Sequence, residues 1–409
     1  MPYAADLHLH SRHASGVSPE MTVETIAFYA RRKGIDVIGT GDCLHSQWLS
    51  ELEARLIPAE PGWFALAPEV DARVKRQLPP VLQRRLRFVL TTEVCCAPPG
   101  TPRLGGIHHL LYFPSFAGAH AFQRRIARHG DLTEGRPSLS LTSRQLLETV
   151  LEHGGDCRMA PAHVMNPYFS SLGSQERHRT LEEIFGELAP RLFAVETGLT
   201  ATPPMCRRIA SLDRHALFSC SDAHSPENIG RECTLLDTEA GYAPMLDAIG
   251  RGDILGTLKF PILRTRYFLN RCGVCAESFE GATCPRCGGR LAMGSRDWLE
   301  KIATRAEPAM PTDAPPFRML LPLKYVIGEL CGLGRDTKAV ARLAEQLLAS
   351  VGHERFILAE ADFDTLAGAA TPQLARAIVA QREVAAGALV KNPASAPSAA
   401  LDSQLSFSL

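Results

Sequence analysis

No stretch of the 409 residues approaches the roughly 20 consecutive apolar residues that cross a bilayer, which excludes a membrane-spanning helix. Net charge is also missing: 44 Lys and Arg stand against 44 Asp and Glu. No global positive field therefore draws the protein to nucleic acid or to an anionic membrane, and any anionic partner has to be held by a local patch or by metal. No glycine-rich GxxxxGKS or GxxxxGKT loop occurs, so the chain is not itself a helicase or other P-loop motor. Internal repeats are absent, as is the composition of a disordered, collagenous or coiled-coil protein. At 45% hydrophobic and 22% charged residues the chain is globular and long enough for two or three domains. The opening MPYAADLHLH has neither a basic nor an apolar leader segment, and the expected location is the cytoplasm.

Twelve cysteines are too dilute for a disulfide scaffold. Eight of them, Cys43, Cys95, Cys96, Cys157, Cys206, Cys220, Cys233 and Cys331, follow no pairing pattern and are expected to be reduced and structural. The other four, Cys272-x2-Cys275-x8-Cys284-x2-Cys287, form two CxxC knuckles at the separation that closes a tetrahedral four-cysteine zinc site. A redox dithiol would need only one such pair. Glycines in or just after the knuckles, Gly273, Gly288 and Gly289, permit tight turns toward sulfur.

Up to about residue 255 short β-rich runs alternate with helical stretches, which predicts an α/β architecture with a mainly parallel sheet or barrel. The predicted strands are Ala4–His8, Asp36–Gly39, Arg87–Val94, Ile107–Phe113, Cys157–Ala162, Leu192–Glu196 and Leu217–Ser221, and Val23–Lys33 and Leu141–His153 have helical apolar spacing. Residues 1–255 are read as a catalytic domain, 256–306 as a zinc module, 307–390 as a helical region and 391–409 as a disordered tail. Predicted helices of the third part are Leu323–Leu330, opened by Pro322, then Thr337–Val351 and Leu374–Ala386.

Asp6-Leu7-His8-Leu9-His10 places two imidazoles two residues apart at a strand end, where the period of 2 points both to one face. Alone, such a pair is as readily a solvated loop feature. Later strands, however, also end in ligand-type residues: Asp42 and His45, Glu93, His108 and His109, His163, Glu196, then Asp222 and His224. Carboxyl ends of consecutive strands converge in α/β barrels and open sheets, so these residues can form one site. Imidazoles with carboxylates and no thiolate pair suit Zn, Mn, Mg or Fe in an open, reactive centre of two or three divalent ions, with Glu93 able to bridge two of them. Phosphoester hydrolysis by metal-activated hydroxide is the leading chemistry.

DLHLHS (Asp6–Ser11), GTGDCLH around Asp42 and His45, TTEV around Glu93, the His108 segment and SDAHSP (Asp222, His224) resemble the ordered motifs of the PHP superfamily of polymerase-and-histidinol-phosphatase-type metallohydrolases. MTVETIAFYARRKGIDVIGTGD, PAHVMNPYFSSLGS, AVETGLT, LDRHALFSCSDAHSPENIGRE and RCGVC…CPRCG are in turn similar to endonuclease Q. The resemblance runs from about residue 5 to residue 350. It implies a distorted (β/α) barrel, a zinc module that with the helical region 307–390 contacts DNA beside the lesion, and nicking of DNA on the 5′ side of deaminated bases (uracil, hypoxanthine, xanthine) and abasic sites. It further implies that His8, His10, Glu93 and Asp222 hold one ion, that Glu93, His108 and His163 hold a second, and that Asp42, His45 and His224 serve a third position. Where the superfamily commonly has an acidic residue after the first His pair, SRHASGVS offers only His13. His108 is preferred over His109, because adjacent strand residues face opposite ways.

Glu196 reads as a ligand, a base or an acceptor orienting a ligating histidine, the last being preferred. Asn166, Tyr168, Phe169 and Ser171 suit contact with a displaced base or its sugar, or a simple packed turn. Trp298 fits base stacking or, at helical spacing with Ile302, the core. Residues 255–310 carry a modest basic bias that counts Lys259 among surface cations and suits a DNA backbone or an ordinary surface. A phosphatase of small phosphoesters is the alternative function, against which the zinc module and the residues beyond it argue. In the tail, Gln404–Leu409 vaguely resembles a sliding-clamp-binding peptide, with an arbitrary tail as the default.

Overall fold

The computed structural model describes residues 2–101, 105–154, 157–176 and 178–387. The tail 391–409, with its disorder and clamp readings, lies outside the described residues. Each of the seven strands expected from the sequence is a stave of one ring. Tyr3–Asp6, Val37–Gly39 and Arg87–Cys96 pair in parallel, Ile107–Phe113 runs antiparallel to Arg87–Cys96 and to Arg158–Pro161, and Val195–Glu196 pairs in parallel with Leu217–Phe218. Two backbone contacts close the circle. Val164 N donates to Glu196 O, and the Leu9–Ala223 bridge, with His10 N donating to Ala223 O, returns the last stave to the first. The result is the distorted barrel expected from the sequence, with mixed rather than mainly parallel pairing. Its antiparallel stave has a simple cause: the stretch between Cys96 and Ile107 is shorter than the dozen or so residues a parallel crossover takes.

Every stave contributes to an inner apolar cluster: Ala5 and Leu7, Val37, Val89, Leu110 and Tyr112, Ala160 and Ala162, Ala194, then Phe218 and Cys220. The alanines leave room for the helix Tyr242–Arg251, whose Tyr242, Met245, Leu246 and Ile249 complete that cluster. Tyr242 Oη donates to Tyr112 O at 2.8 Å. Each such large apolar side chain contributes about 1.5–3 kcal/mol on burial. Outside the ring, Val23–Lys33 begins at a Thr22 cap and ends at Gly34, whose φ of 83° is the left-handed C-cap that glycine favours. The helix expected from Leu141 starts at Ser143, because Thr142 and Gln145 form a capping box that satisfies the first turn's free N–H groups.

The sheet continues past residue 255. Cys233–Leu236 lies antiparallel beside Tyr3–Asp6, Gly256–Lys259 is next, and Phe317–Met319 follows at the edge of an eleven-stranded sheet, with Val195–Glu196 and Leu217–Phe218 paired separately. Beyond it come the helices Leu323–Cys331, Lys338–Ser350, Glu354–Ala359, Phe363–Ala369 and Pro372–Gly387. These dock on Val23–Lys33 through Arg32 with Glu345, Lys33 with Glu354 at 2.8 Å, and Arg355 Nε on Gly34 O. No helix among the described residues is long and apolar enough to cross a membrane.

His353 makes this docking sensitive to pH. Its Nδ1 accepts the Phe356 N–H at 3.0 Å, capping Glu354–Ala359 against Gly34, and burial beside Arg84 and Arg355 brings its imidazole down to about 3. The unfolded chain takes up this proton near pH 6.5 and the folded one does not. Stability from His353 is thus complete above that value and is lost as pH falls. Expected is a loss on the order of 1–2 kcal/mol between pH 7 and pH 5. His353→Asn, which keeps a cap acceptor but does not titrate, should flatten this part of the Tm-against-pH curve; an unchanged slope would assign the acid sensitivity elsewhere.

Candidate metal centre

Alternation along the staves carries the inner face out to one end of the ring. Val89 is in the inner cluster, so Glu93 shares its face; Phe218 and Cys220 lead to Asp222, and Ala194 leads to Glu196. On the antiparallel stave His108 precedes Leu110 and Tyr112 on that face. His109 points the other way and meets Ser143 Oγ at 2.7 Å. Three of the residues here are non-glycine residues in the left-handed region, Asp42 (φ 48°), His163 (φ 31°) and Asp222 (φ 47°), where turns at stave ends re-aim side chains. Gly198 allows the close approach this requires: a Cβ there would lie 2.4 Å from His163 Cβ.

Two trios result, His8 with His10 and Asp222, and Glu93 with His108 and His163, each with its ligand atoms within 4.8 Å of one another. Glu93 touches both. Its Oε1 lies 3.0 Å from His108 Nδ1 and from His163 Nε2, and 3.5 Å from His8 Nε2, while Oε2 lies 3.4 Å from His10 Nε2. Asp222 Oδ1 stands 3.3 Å from His10 Nε2 and 3.5 Å from His8 Nε2. Close as these approaches are, His8 Nε2, His10 Nε2, His108 Nδ1 and Asp222 Oδ1 are buried without a properly directed hydrogen bond among the described residues. Converging buried donors left unsatisfied are what a divalent cation requires, and the residues fit one.

The electrostatics agree. Burial alone would lower His8, yet the charges of Glu196, Asp222 and Glu93 push its imidazole up to about 9. Burial alone would raise Glu93 and Asp222, yet the surrounding imidazoles hold both well below the usual carboxylate range. Carboxylates and imidazoles thus hold each other in their charged forms, and the ionised carboxylates are placed to attract a cation.

Glu196 and Asp42 stand behind the trios. Both Glu196 oxygens lie 3.0 Å from His8 Nδ1, and Oε2 also accepts His163 N at 2.7 Å. Asp42 Oδ1 meets His10 Nδ1 at 3.1 Å, and Oδ2 accepts the Ser11 hydroxyl at 2.7 Å. Each carboxylate fixes which ring nitrogen of its histidine faces the centre. The residues implied for a third ion are not brought together. His45 caps the helix Ser46–Arg55, its Nδ1 accepting Trp48 N at 3.1 Å and its Nε2 bonding Thr133 O at 2.9 Å, with its ring stacked on His13. His224 sits at the rim, Nδ1 3.0 Å from Asp222 O.

Two residues not proposed for the site from the sequence complete the frame. Lys259, counted among surface cations in the sequence, is fully buried and meets Glu232 Oε2 at 2.6 Å, Thr197 Oγ1 and Gly198 O at 2.9 Å, and Ser219 Oγ. Its one signal is a lysine inside the apolar run TLKFPIL. Arg231 bonds Ser221 O and Asp222 O.

All twelve cysteines are free. The sulfurs of Cys272, Cys275, Cys284 and Cys287 lie within 4.8 Å of one another, with Cys272–Cys287 at 3.5 Å and Cys275–Cys284 at 3.9 Å. A tetrahedron of Zn–S bonds of about 2.3 Å has edges of about 3.8 Å, so the four fit zinc. The Cys275 N–H, 3.3 Å from Cys272 Sγ, helps bring that thiol down to about 7.

Between this module and the loop after His163 lies a cleft of about 350 Å³ lined by Asn166, Tyr168, Phe169, Arg266, Tyr267 and Arg271. Phe169 stacks on His108, ring centroids 4.8 Å apart, so the cleft adjoins the centre. Ser171 is buried deeper, outside the cleft lining. A larger groove of about 1090 Å³ continues past Tyr168 along Arg179, Arg290 and Lys301, for whose side chains no ion pair is found among the described residues. Trp298 belongs to the core, donating its Nε1–H to Leu172 O.

No family model matches the chain. YqxK, an uncharacterized protein of Bacillus subtilis, is 27% identical over 394 residues, 92% of this chain and 94% of its own. The crystal structure of the lesion-specific endonuclease PfuEndoQ from Pyrococcus furiosus is 28% identical with a TM-score of 0.80, over 94% of this chain and 91% of its own. An endonuclease Q complex with a 27-mer duplex carrying an abasic lesion at the active site matches at the same identity and TM-score, over 94% and 92%. Barrel, trios and the carboxylate that touches both together define the class, a metal-dependent hydrolase. Within that class the resemblance to endonuclease Q, first carried by short motifs, holds for the fold along nearly the whole chain.

Proposed function

We propose that the chain is a DNA repair endonuclease that hydrolyses the phosphodiester 5′ to deaminated bases and abasic sites, acting in the cytoplasm. The observation that carries this reading is the match at TM-score 0.80 to endonuclease Q, including the complex with an abasic duplex. Supporting it, the aromatic and guanidinium-lined cleft adjoins the metal centre and opens into a groove lined by Arg179, Arg290 and Lys301. Such a groove suits a phosphate backbone, and the cleft suits a nucleotide drawn out of the duplex; a deaminated base, weakly paired, costs less to extrude. A small phosphoester would use neither.

In this reading residues 1–255 supply the chemistry, the zinc module 256–306 walls the cleft, and the helical region 307–390 braces the body. His8, His10, Asp222 and Glu93 would hold one divalent ion, and Glu93, His108 and His163 a second. Bound there, the ions supply activation of water and neutralisation of phosphoryl charge. The chain's own part is to fix the ligands: Glu196 and Asp42 orient His8 and His10, and Phe169 seals the face of His108.

End-labelled duplexes with one uracil, hypoxanthine or abasic site, incubated with Mn²⁺, Mg²⁺, Zn²⁺ or chelator beside p-nitrophenyl phosphate, test the proposal. Expected is one cut just 5′ of the lesion, absent from undamaged DNA and from Asp222→Asn. Turnover of the small phosphoester with no nick in any metal would replace this reading by that of a phosphatase.

A further inference from the structure

Arg136 plays no part in the motifs, yet its Nη1 lies 3.4 Å from Glu93 Oε2, the carboxylate shared by both trios. The backbone holds it there. Pro137 O accepts Cys95 N, and Ser138–Leu139 pairs in parallel with Cys95 and Cys96 at the end of the stave that carries Glu93. Glu93 is sealed from solvent while the Arg136 side chain keeps 24% of its surface exposed, so the guanidinium spans from the buried centre to its mouth.

The other cations nearby are committed. Arg231 is tied to two backbone carbonyls and Lys259 is enclosed among four partners. Among the described Arg and Lys residues Arg136 is the one whose side chain meets a carboxylate of the trios, while Arg231 reaches only the backbone O of Asp222. Of the five N–H donors of a guanidinium, only the one on Glu93 is engaged among the described contacts. With ions held at the trios, the donors not on Glu93 would be free to take up an oxygen anion entering at the mouth.

Resting on the proposed reading, we infer that Arg136 is a further catalytic residue, one that grips a non-bridging oxygen of the scissile phosphodiester. In the reaction a water oxygen bonds to phosphorus, the bond from phosphorus to the 3′ oxygen breaks, and that oxygen leaves as a hydroxyl carrying one of the water's protons. The guanidinium stays protonated throughout and stabilises charge gathering on the equatorial oxygens. Its fork suits two parallel hydrogen bonds to a phosphate better than an ammonium does.

The test measures single-turnover cleavage, bound metal per chain and duplex affinity for wild type, Arg136→Lys and Arg136→Ala, all loaded with metal. Arg136→Ala should keep its metal and fold, bind the duplex within a few-fold, and cut about 100-fold more slowly or worse, with Arg136→Lys recovering part of the rate. A wild-type rate in Arg136→Ala, or loss of metal that accounts for the defect, overturns the assignment. Bis(p-nitrophenyl) phosphate separates the two levels of the argument. If wild type hydrolyses it but nicks no lesion, the lesion reading fails, and the Arg136 effect is then decided on that diester by the same criteria.

Discussion

Glu93→Gln should yield a folded protein that retains neither active-site ion at stoichiometric occupancy and nicks damaged DNA at least about 1,000-fold more slowly, since both trios lose the carboxylate they share. The argument is geometric. Among the described residues Glu93 is the one side chain within 3.5 Å of ring nitrogens from both trios, with Oε1 toward His108 and His163 and Oε2 toward His10. An amide of the same shape keeps the packing but replaces one oxygen by a donor and removes the charge. Asp222→Asn differs instructively, because Asp222 belongs to the His8 and His10 trio alone. It should retain metal at Glu93, His108 and His163 while failing to cut. Metal counted per chain in the two variants, beside their circular dichroism, decides the matter. Equal, full occupancy in Glu93→Gln would mean that the trios bind their ions independently and that no bridge exists.

The staves were legible because each has an apolar core of a few residues bounded by turn residues, and because inner positions repeat every second residue up to a ligand at the end. His108 could be separated from His109 by that same period, and the structure places them on opposite faces. Closure of the ring was not legible, since it rests on backbone contacts at Val164, Leu9 and Ala223 that no side-chain pattern encodes. The strands Cys233–Leu236, Gly256–Lys259 and Phe317–Met319 were missed for a related reason. Each is three or four residues long, too short for a period to show, and pairing with a neighbour defines it. Their place after a strand put Asp42 and His45 beside the residues of the two trios. Only coordinates separate a carboxylate bonded to Ser11 and His10 from one facing the centre, or a histidine whose two nitrogens serve backbone groups from one with a nitrogen to spare.

Lys259→Met should bring the largest loss of stability, on the order of 3–5 kcal/mol, as expected when one partner of a buried ion pair is removed. The ammonium is fully buried and cross-links the turn after Glu196, through Thr197 and Gly198, to Ser219 and to Glu232 just before the neighbouring strand. Even beside it, burial pushes the Glu232 carboxyl up to about 7, so the pair already holds this acid against strong desolvation. Without the lysine that carboxyl rises further and must be protonated to stay inside, whereas in the unfolded chain it ionises near 4.5. The folded variant then holds a proton that the unfolded chain has released, and its deficit grows as pH rises above 4.5. Urea unfolding at pH 6 and pH 8 should therefore show the larger penalty at pH 8, and Lys259→Met combined with Glu232→Gln should recover much of it. A penalty independent of pH and unrelieved in the double variant would assign the loss to packing of the lysine stem instead. Because Thr197 and Gly198 follow directly on the carboxylate that orients His8, the single variant should also bind metal more weakly at pH 8, which ties the stability of this strand pair to the occupancy of the centre above it.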